Sequence, residues 1–341
     1  MIGQMIILGF PGTQAGEEWP DRISKMIHAG QVGGTILFSS NVVDTKQVQS
    51  LVDWISRPNG KVLPFICIDQ EGGTIQRLTS SKGFVGLQSA RSVARLDQAS
   101  AYRLYRRTAL ELSTLGINVN FGPVVDLDAN SESPVIGRLG RSYGSSPDRV
   151  ISYAKQFINA HNEAGVLTAI KHFPGHGSAK VDPHEGIVNI TATWNERELI
   201  PFRDLISNKF ARMVMVGHVI HPLFSDDDRP ASLSKLAIQG VLRKELGFRG
   251  LIVTDDLDME AITARYSVEE AAVLAISAGA DLIIIANNKR PDPTIVDRVI
   301  SAVTKAVSEG RISSAAIEQA YLRIVAEKQS FSERKPFVGS K

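Results

Sequence analysis

The segment KHFPGHGSAKVDPHEG, Lys171 to Gly186, holds three of the chain's seven histidines together with lysine, aspartate and glutamate. A metal site, a proton-transfer device and a histidine-rich loop are the three readings of such a cluster. His172 and His176 are four apart, a spacing that on a helix would set both rings on one face, as a metal ion requires. Pro174, Gly175 and Gly177 oppose a helix there. The single cysteine, Cys67, lies in the apolar run LPFICID and reads as a small core residue. No metal is expected. Satisfied structural histidines compete for any one position, and His176, between two glycines, reads as support for the turn.

Asp182 and His184 are two apart, so an extended backbone presents both on one face. A carboxylate bonded to one imidazole nitrogen fixes the tautomer and stabilises the imidazolium. The other nitrogen can then serve as general acid and afterwards as base. Elsewhere, Asp255 and Asp256 follow the apolar run GLIVT. A carboxylate on a rigid strand end suits a nucleophile that must meet a carbon in near-attack geometry, while the plainer reading is a helix cap. Strand alternation predicts that only one of the two faces inward. Asp69 and Arg77 flank a Gly-Gly turn in DQEGGTIQR; a carboxylate and a guanidinium side by side hold sugar hydroxyls well, and equally make a structural ion pair.

These groups need a scaffold that brings distant segments to one face. Apolar β-rich runs occur at 5–10, 33–38, 63–69, 117–127, 167–173, 212–218, 250–256 and 281–287. They are apolar on both faces, as parallel strands covered by helices must be. Amphipathic helices lie between them: TKQVQSLVDWIS sets Val48, Leu51, Val52 and Ile55 on one stripe, and SVEEAAVLAISAGA runs from an N-cap Ser267 to Gly279. Eight such units predict a single (β/α)8 TIM-type barrel over 1–330 with a C-terminal helical extension, and a disordered tail at 331–341. A doubly wound sheet competes, but no Gly-rich phosphate turn follows the first strand. In a barrel, chemistry gathers at the C-terminal strand ends. There stand Asp69, Asp126, Asp128, Lys171, His172, His218, Asp255, Asp256 and Asn287.

Composition limits the partners. A 43% hydrophobic and 22% charged chain with net charge +2 is of globular type, and its charge offers nothing to nucleic acid or an acidic membrane. No apolar run approaches the roughly 18 residues of a membrane span. The start MIGQMIILGF lacks a basic region and a cleavage site, so a cytoplasmic enzyme is the expectation.

KHFPGHG followed by Asp-x-His, together with DQEGG…QR, GLIVTDDLDM, IGQMIILGFPGT and VGGTILF, resembles the β-N-acetylglucosaminidases of glycoside hydrolase family 3. The resemblance runs from about residue 2 to about 290 of the chain. It implies a retaining double displacement with Asp255 as nucleophile and His184–Asp182 as acid/base dyad. It also implies a −1 sugar site formed by Asp69, Arg77, Lys171 and His172, with Arg141 assisting and His218 lining the pocket.

The general retaining template instead uses two carboxylates about 5 Å apart. Two departures from the pattern stand out: Pro183 replaces the serine expected inside the dyad, and VIGRLGRSYG is longer than expected, so that Arg138 or Arg141 could be the sugar ligand. Arg141 is favoured by the RSYG that begins with it. Many β-glucosidases of the family take their acid from a second domain; this chain ends where that domain would begin, so the acid is expected from the barrel. The implied substrates are small carbohydrates, muropeptide-type or chito-oligosaccharide GlcNAc glycosides, and a monomer without cofactor is the expectation. A phosphorylase, or a glycosidase of different sugar preference, is the alternative.

Overall fold

The computed structural model describes residues 1–56, 63–182, 186–225 and 227–333, the side chains of 331–333 excepted. Eight parallel strands close into a barrel: β1 (Ile6–Gly9), β2 (Gly34–Leu37), β3 (Phe65–Ile68), β4 (Val119–Asn120), β5 (Leu167–Phe173), β6 (Met213–Val216), β7 (Leu251–Asp256) and β8 (Leu282–Ile285). Each strand pairs with its sequence neighbours, and β1 closes against β8. All but the last two residues of β7 are buried, as strands covered on both faces must be. The predicted (β/α)8 barrel is the observed fold.

Local signals account for the helices. Thr45–Ile55 begins where the Asp44 carboxylate accepts from Gln47 N–H, and it buries Val48, Leu51, Val52 and Ile55. Val268–Ala278 starts at the Ser267 cap and stops at Gly279, whose φ of 106° only glycine adopts readily. One strand falls well short of expectation. The apolar run 117–127 forms a ladder only at Val119–Asn120, because Pro123 has no N–H to donate; the chain rejoins the sheet as a single bridge from Val124 to Lys171. The result frees Asp126 from the ladder and sets it against His172 and His176, behind the barrel mouth.

The C-terminal helix Ser314–Glu333 continues past the predicted domain end at 330; residues 334–341 of the predicted tail lie outside the described residues. It closes the opposite end of the barrel. Lys328, buried there, donates to Gly33 O at 2.5 Å and Gln4 Oε1 at 2.9 Å and sits over the Phe65 ring. Burial pushes its ammonium down to about 7. Arg323 from the same helix and Arg243 converge on the buried Asp281 at the foot of β8, at 2.7 and 2.6 Å. Cys67 is a buried free thiol, as its apolar neighbours predict. No helix among the described residues is long and apolar enough to cross a membrane.

Candidate active site

The C-terminal strand ends surround a cavity of about 140 Å³ walled by Asp69, Glu71, Arg77, Arg141, Lys171, His172, His176, Asp255 and Asp256, with Phe38, Ile75, Val135 and Met259 as its apolar part. It shares Phe38, Arg77, Asp256 and Met259 with an outer space of about 620 Å³, bordered also by Asp258, Glu260, Asn288, Lys289 and Arg290.

The turn after β3 places the first pair. Glu71 and Gly72 N–H both donate to Ile75 O, and Gln70 Oε1 accepts from the N–H groups of Arg77 and Leu78. Gly72 has φ 103°, and a Cβ there would lie 2.2 Å from Gln88 O, so the turn requires glycine. Folded back in this way, Arg77 meets Asp69 at 3.1 Å. Lys171 donates to Asp69 at 2.7 Å and lies 2.6 Å from Glu71, which Arg141 grips with two parallel bonds of 2.8 Å. Burial alone would raise both carboxyls. The Lys171 and Arg77 charges overcome it at Asp69, and Arg141 and Lys171 hold Glu71 far below the usual range. Sequence reasoning passed over Glu71; its position two residues after Asp69, inside the turn, was the available signal. Arg138 points to solvent and pairs with Glu132, so Arg141 is the arginine of the cavity.

Lys171 and His172 are adjacent on β5 yet both face the cavity. The register of β5 against β6 shifts between Ile170 and Phe173, which re-aims successive side chains. The same device corrects the expectation for Asp255 and Asp256. The pairing of β7 with β8 shifts between Leu282 and Ile284, and both aspartates reach the wall. Their environments differ. Burial pushes Asp256 up to about 7, with Oδ1 accepting from Asp258 and Ala286 N–H. At Asp255 the same desolvation is overcome chiefly by His218, with help from Asp256 N–H, so its carboxyl is held down. One of two neighbouring acids is thus kept ionised and the other is biased toward neutral. His218 is not part of the cavity wall. It stands one layer behind, its Nε2 donating to Asp256 O at 2.8 Å and its Nδ1 2.7 Å from Ser232 Oγ.

The histidine segment divides. His172 Nδ1 donates to Asp126 at 2.7 Å. His176 is buried with neither ring nitrogen on a protein partner among the described residues, and burial pushes it down to about 4. Its backbone N–H, not its ring, anchors the turn, by donating to Asp126 at 2.8 Å. Glu198 Oε2 accepts from Gly177 N–H, and burial beside Asp126 pushes that carboxyl up to about 7. Asp182 is described and half-buried, and it does not line the cavity; its proposed partner His184 lies outside the described residues. Among the described residues no three His, Cys, Asp or Glu side chains are grouped to hold a metal ion.

A pH effect follows from Asp256 and Glu198. Folding raises both from their ordinary values of 3.8 and 4.5 to about 7, so the native state favours their protonated forms. Their contribution is complete below about pH 4 and is lost as pH rises through 7. Lys328 and His176 titrate as well, so the informative quantity is a difference between proteins. Relative to wild type, the double variant Asp256→Asn, Glu198→Gln should gain roughly 3 °C in Tm between pH 6 and pH 8. A constant difference across that range would contradict the assignment.

Comparison with known proteins agrees with this architecture. Residues 1–326 match the family model described as glycosyl hydrolase family 3 N terminal domain. The chain is 34% identical to a β-hexosaminidase of Idiomarina loihiensis, over 84% of this chain and 86% of that one. It is 31% identical to β-hexosaminidase A of Pseudoalteromonas piscicida over 91% of its own length, and spans only 55% of that longer protein. Among solved structures, a family 3 β-N-acetylglucosaminidase from Paenibacillus sp. str. FPU-7 superposes with a TM-score of 0.86 at 35% identity, covering all of this chain and 64% of that one.

Proposed function

The chain belongs to glycoside hydrolase family 3, and from that premise we propose that it is a retaining, exo-acting β-N-acetylglucosaminidase. The observation that carries the reading is the contrast at the end of β7: an Asp255 carboxyl in the cavity wall held ionised beside an Asp256 biased toward neutral. Asp255 attacks the anomeric carbon and expels the aglycone oxygen, giving a covalent glycosyl-enzyme. His184, oriented by Asp182, protonates that oxygen and then removes a proton from the attacking water, which releases the sugar and restores the carboxylate. Asp69, Arg77, Lys171, Arg141 and His172 hold the sugar, and the outer 620 Å³ space gives room to an aglycone such as a muropeptide or further GlcNAc units.

A panel of aryl GlcNAc, GalNAc, glucose and xylose β-glycosides tests the specificity, with GlcNAc expected to turn over fastest. A slow 5-fluoro glycosyl donor followed by peptide mapping should label Asp255; label on any other residue sinks the mechanism. His184→Ala should slow glycosides with poor leaving groups about a hundredfold and activated aryl glycosides far less. Equal slowing of both would remove His184 as the acid. A histidine acid/base lacks the negative charge that would repel phosphate, so rates in phosphate and in a neutral buffer separate hydrolysis from phosphorolysis.

A further inference from the structure

Behind the cavity lies a carboxylate that never reaches it. Asp126 is wholly buried, is absent from the cavity wall, and has both oxygens engaged with the end of β5 and the turn that follows it. Oδ2 accepts from His172 Nδ1 at 2.7 Å and from His172 N–H at 3.3 Å. Oδ1 accepts from His172 N–H at 3.2 Å and from His176 N–H at 2.8 Å. On the other side of the ring, His172 Nε2 faces Arg141 Nη2 at 3.3 Å. A guanidinium can only donate, and an ionised carboxylate can only accept.

We propose that Asp126 is a positioning residue for the reaction: it fixes His172 as the Nδ1–H tautomer and so presents Nε2 to the cavity as a hydrogen-bond acceptor. The opposite tautomer would set Nε2–H against the Arg141 N–H and leave the Nδ1 lone pair against the Asp126 oxygens, two repulsive contacts in a buried place. Lys171, Arg77 and Arg141 supply only donors to this part of the wall. Arg141 Nη2 already donates to Glu71 at 2.8 Å and meets Nε2 only at 3.3 Å, so a sugar hydroxyl can take over the Nε2 lone pair and place its proton there. Asp126 also holds the backbone on both sides of Phe173–Gly175, so ring and chain are set by one side chain.

Asp126→Asn separates the two roles. The amide oxygen can keep the His172 and His176 N–H groups, while the amide NH₂, turned to Nδ1, forces the imidazole to accept there. In protein labelled with ¹⁵N-histidine, long-range ¹H–¹⁵N spectra should show a protonated Nδ1 and a bare Nε2 for His172, with the signals assigned by their loss in His172→Gln. Asp126→Asn should reverse that pattern and lower kcat/KM about a hundredfold. In the His172→Gln background the same substitution should cost less than threefold further, because Asp126 acts through the ring.

A doubly protonated His172 or an Nε2–H tautomer in the wild type overturns the proposal, as does an unchanged tautomer in Asp126→Asn or additive losses in the double variant. The wild-type spectrum decides even if Asp126→Asn fails to fold. The kinetic arm rests on the glycosidase reading, whereas the spectra need no substrate, so failure of one is distinguishable from failure of the other.

Discussion

Asp255→Ala is expected to lower kcat on aryl β-N-acetylglucosaminides by about 10⁴-fold or more, an increase of about 5.5 kcal/mol in the barrel's chemical barrier. On the proposed mechanism no glycosyl-enzyme forms without the carboxylate, and water must attack an anomeric carbon with no anion beneath it. The vacated volume admits a small nucleophile. Added azide should therefore restore turnover and give the glycosyl azide of inverted configuration, while the wild type retains configuration. Asp256→Ala provides the contrast. Its Oδ1 ties Asp258 and Ala286 N–H and its carboxyl lies near 7, so its loss should cost stability and only a modest part of kcat. Activity within tenfold of wild type in Asp255→Ala, or a larger loss in Asp256→Ala, would transfer the nucleophile's role.

Lys171→Met should lower kcat/KM by about 10³-fold while preserving most of the side-chain volume. The lost ammonium bridges Asp69 and Glu71 at 2.7 and 2.6 Å. Glu71 keeps both Arg141 bonds, but Asp69 retains only Arg77, and two buried carboxylates then face each other across an uncharged methyl group. The sign of the pH effect follows. Asp69 is depressed in the native protein because the Lys171 and Arg77 charges outweigh desolvation, so its ionised form persists well into acid. With Lys171 gone, burial dominates, the carboxyl moves up, and the acid limb of kcat/KM moves toward neutral pH. An unmoved acid limb would mean that Asp69 does not report on sugar binding.

Much of this was legible from residues alone, for identifiable reasons. Eight doubly apolar runs separated by capped helices specify a barrel, and a barrel specifies where its chemistry lies; Asp69, Lys171, His172 and Asp255 were singled out because they close such runs, and all four line the cavity. The failures arise where the ladder breaks. Alternation assumes uniform register, and the shift in β7 turns both Asp255 and Asp256 inward. Pro123 shortened the fourth strand and placed Asp126 behind His172, a role that spacing does not encode. Glu71 matters through Arg141, 70 residues away in the chain, and no local pattern announces such a partner. His218 was placed correctly at its strand end but one layer too far forward.

The mutual pairing of charges around the cavity also governs how substrate arrives. Asp69, Glu71 and Asp255 balance Lys171, Arg77 and Arg141 around the cavity, and all of these but Asp255 are joined in one network of ion pairs. Such an arrangement projects little net field beyond the mouth, so a neutral sugar meets the protein by unassisted diffusion, with no long-range attraction for salt to screen. Its kcat/KM should stay nearly flat from about 20 mM to about 500 mM sodium chloride. The strong fields are confined within the wall, where they act only on the glycoside already bound.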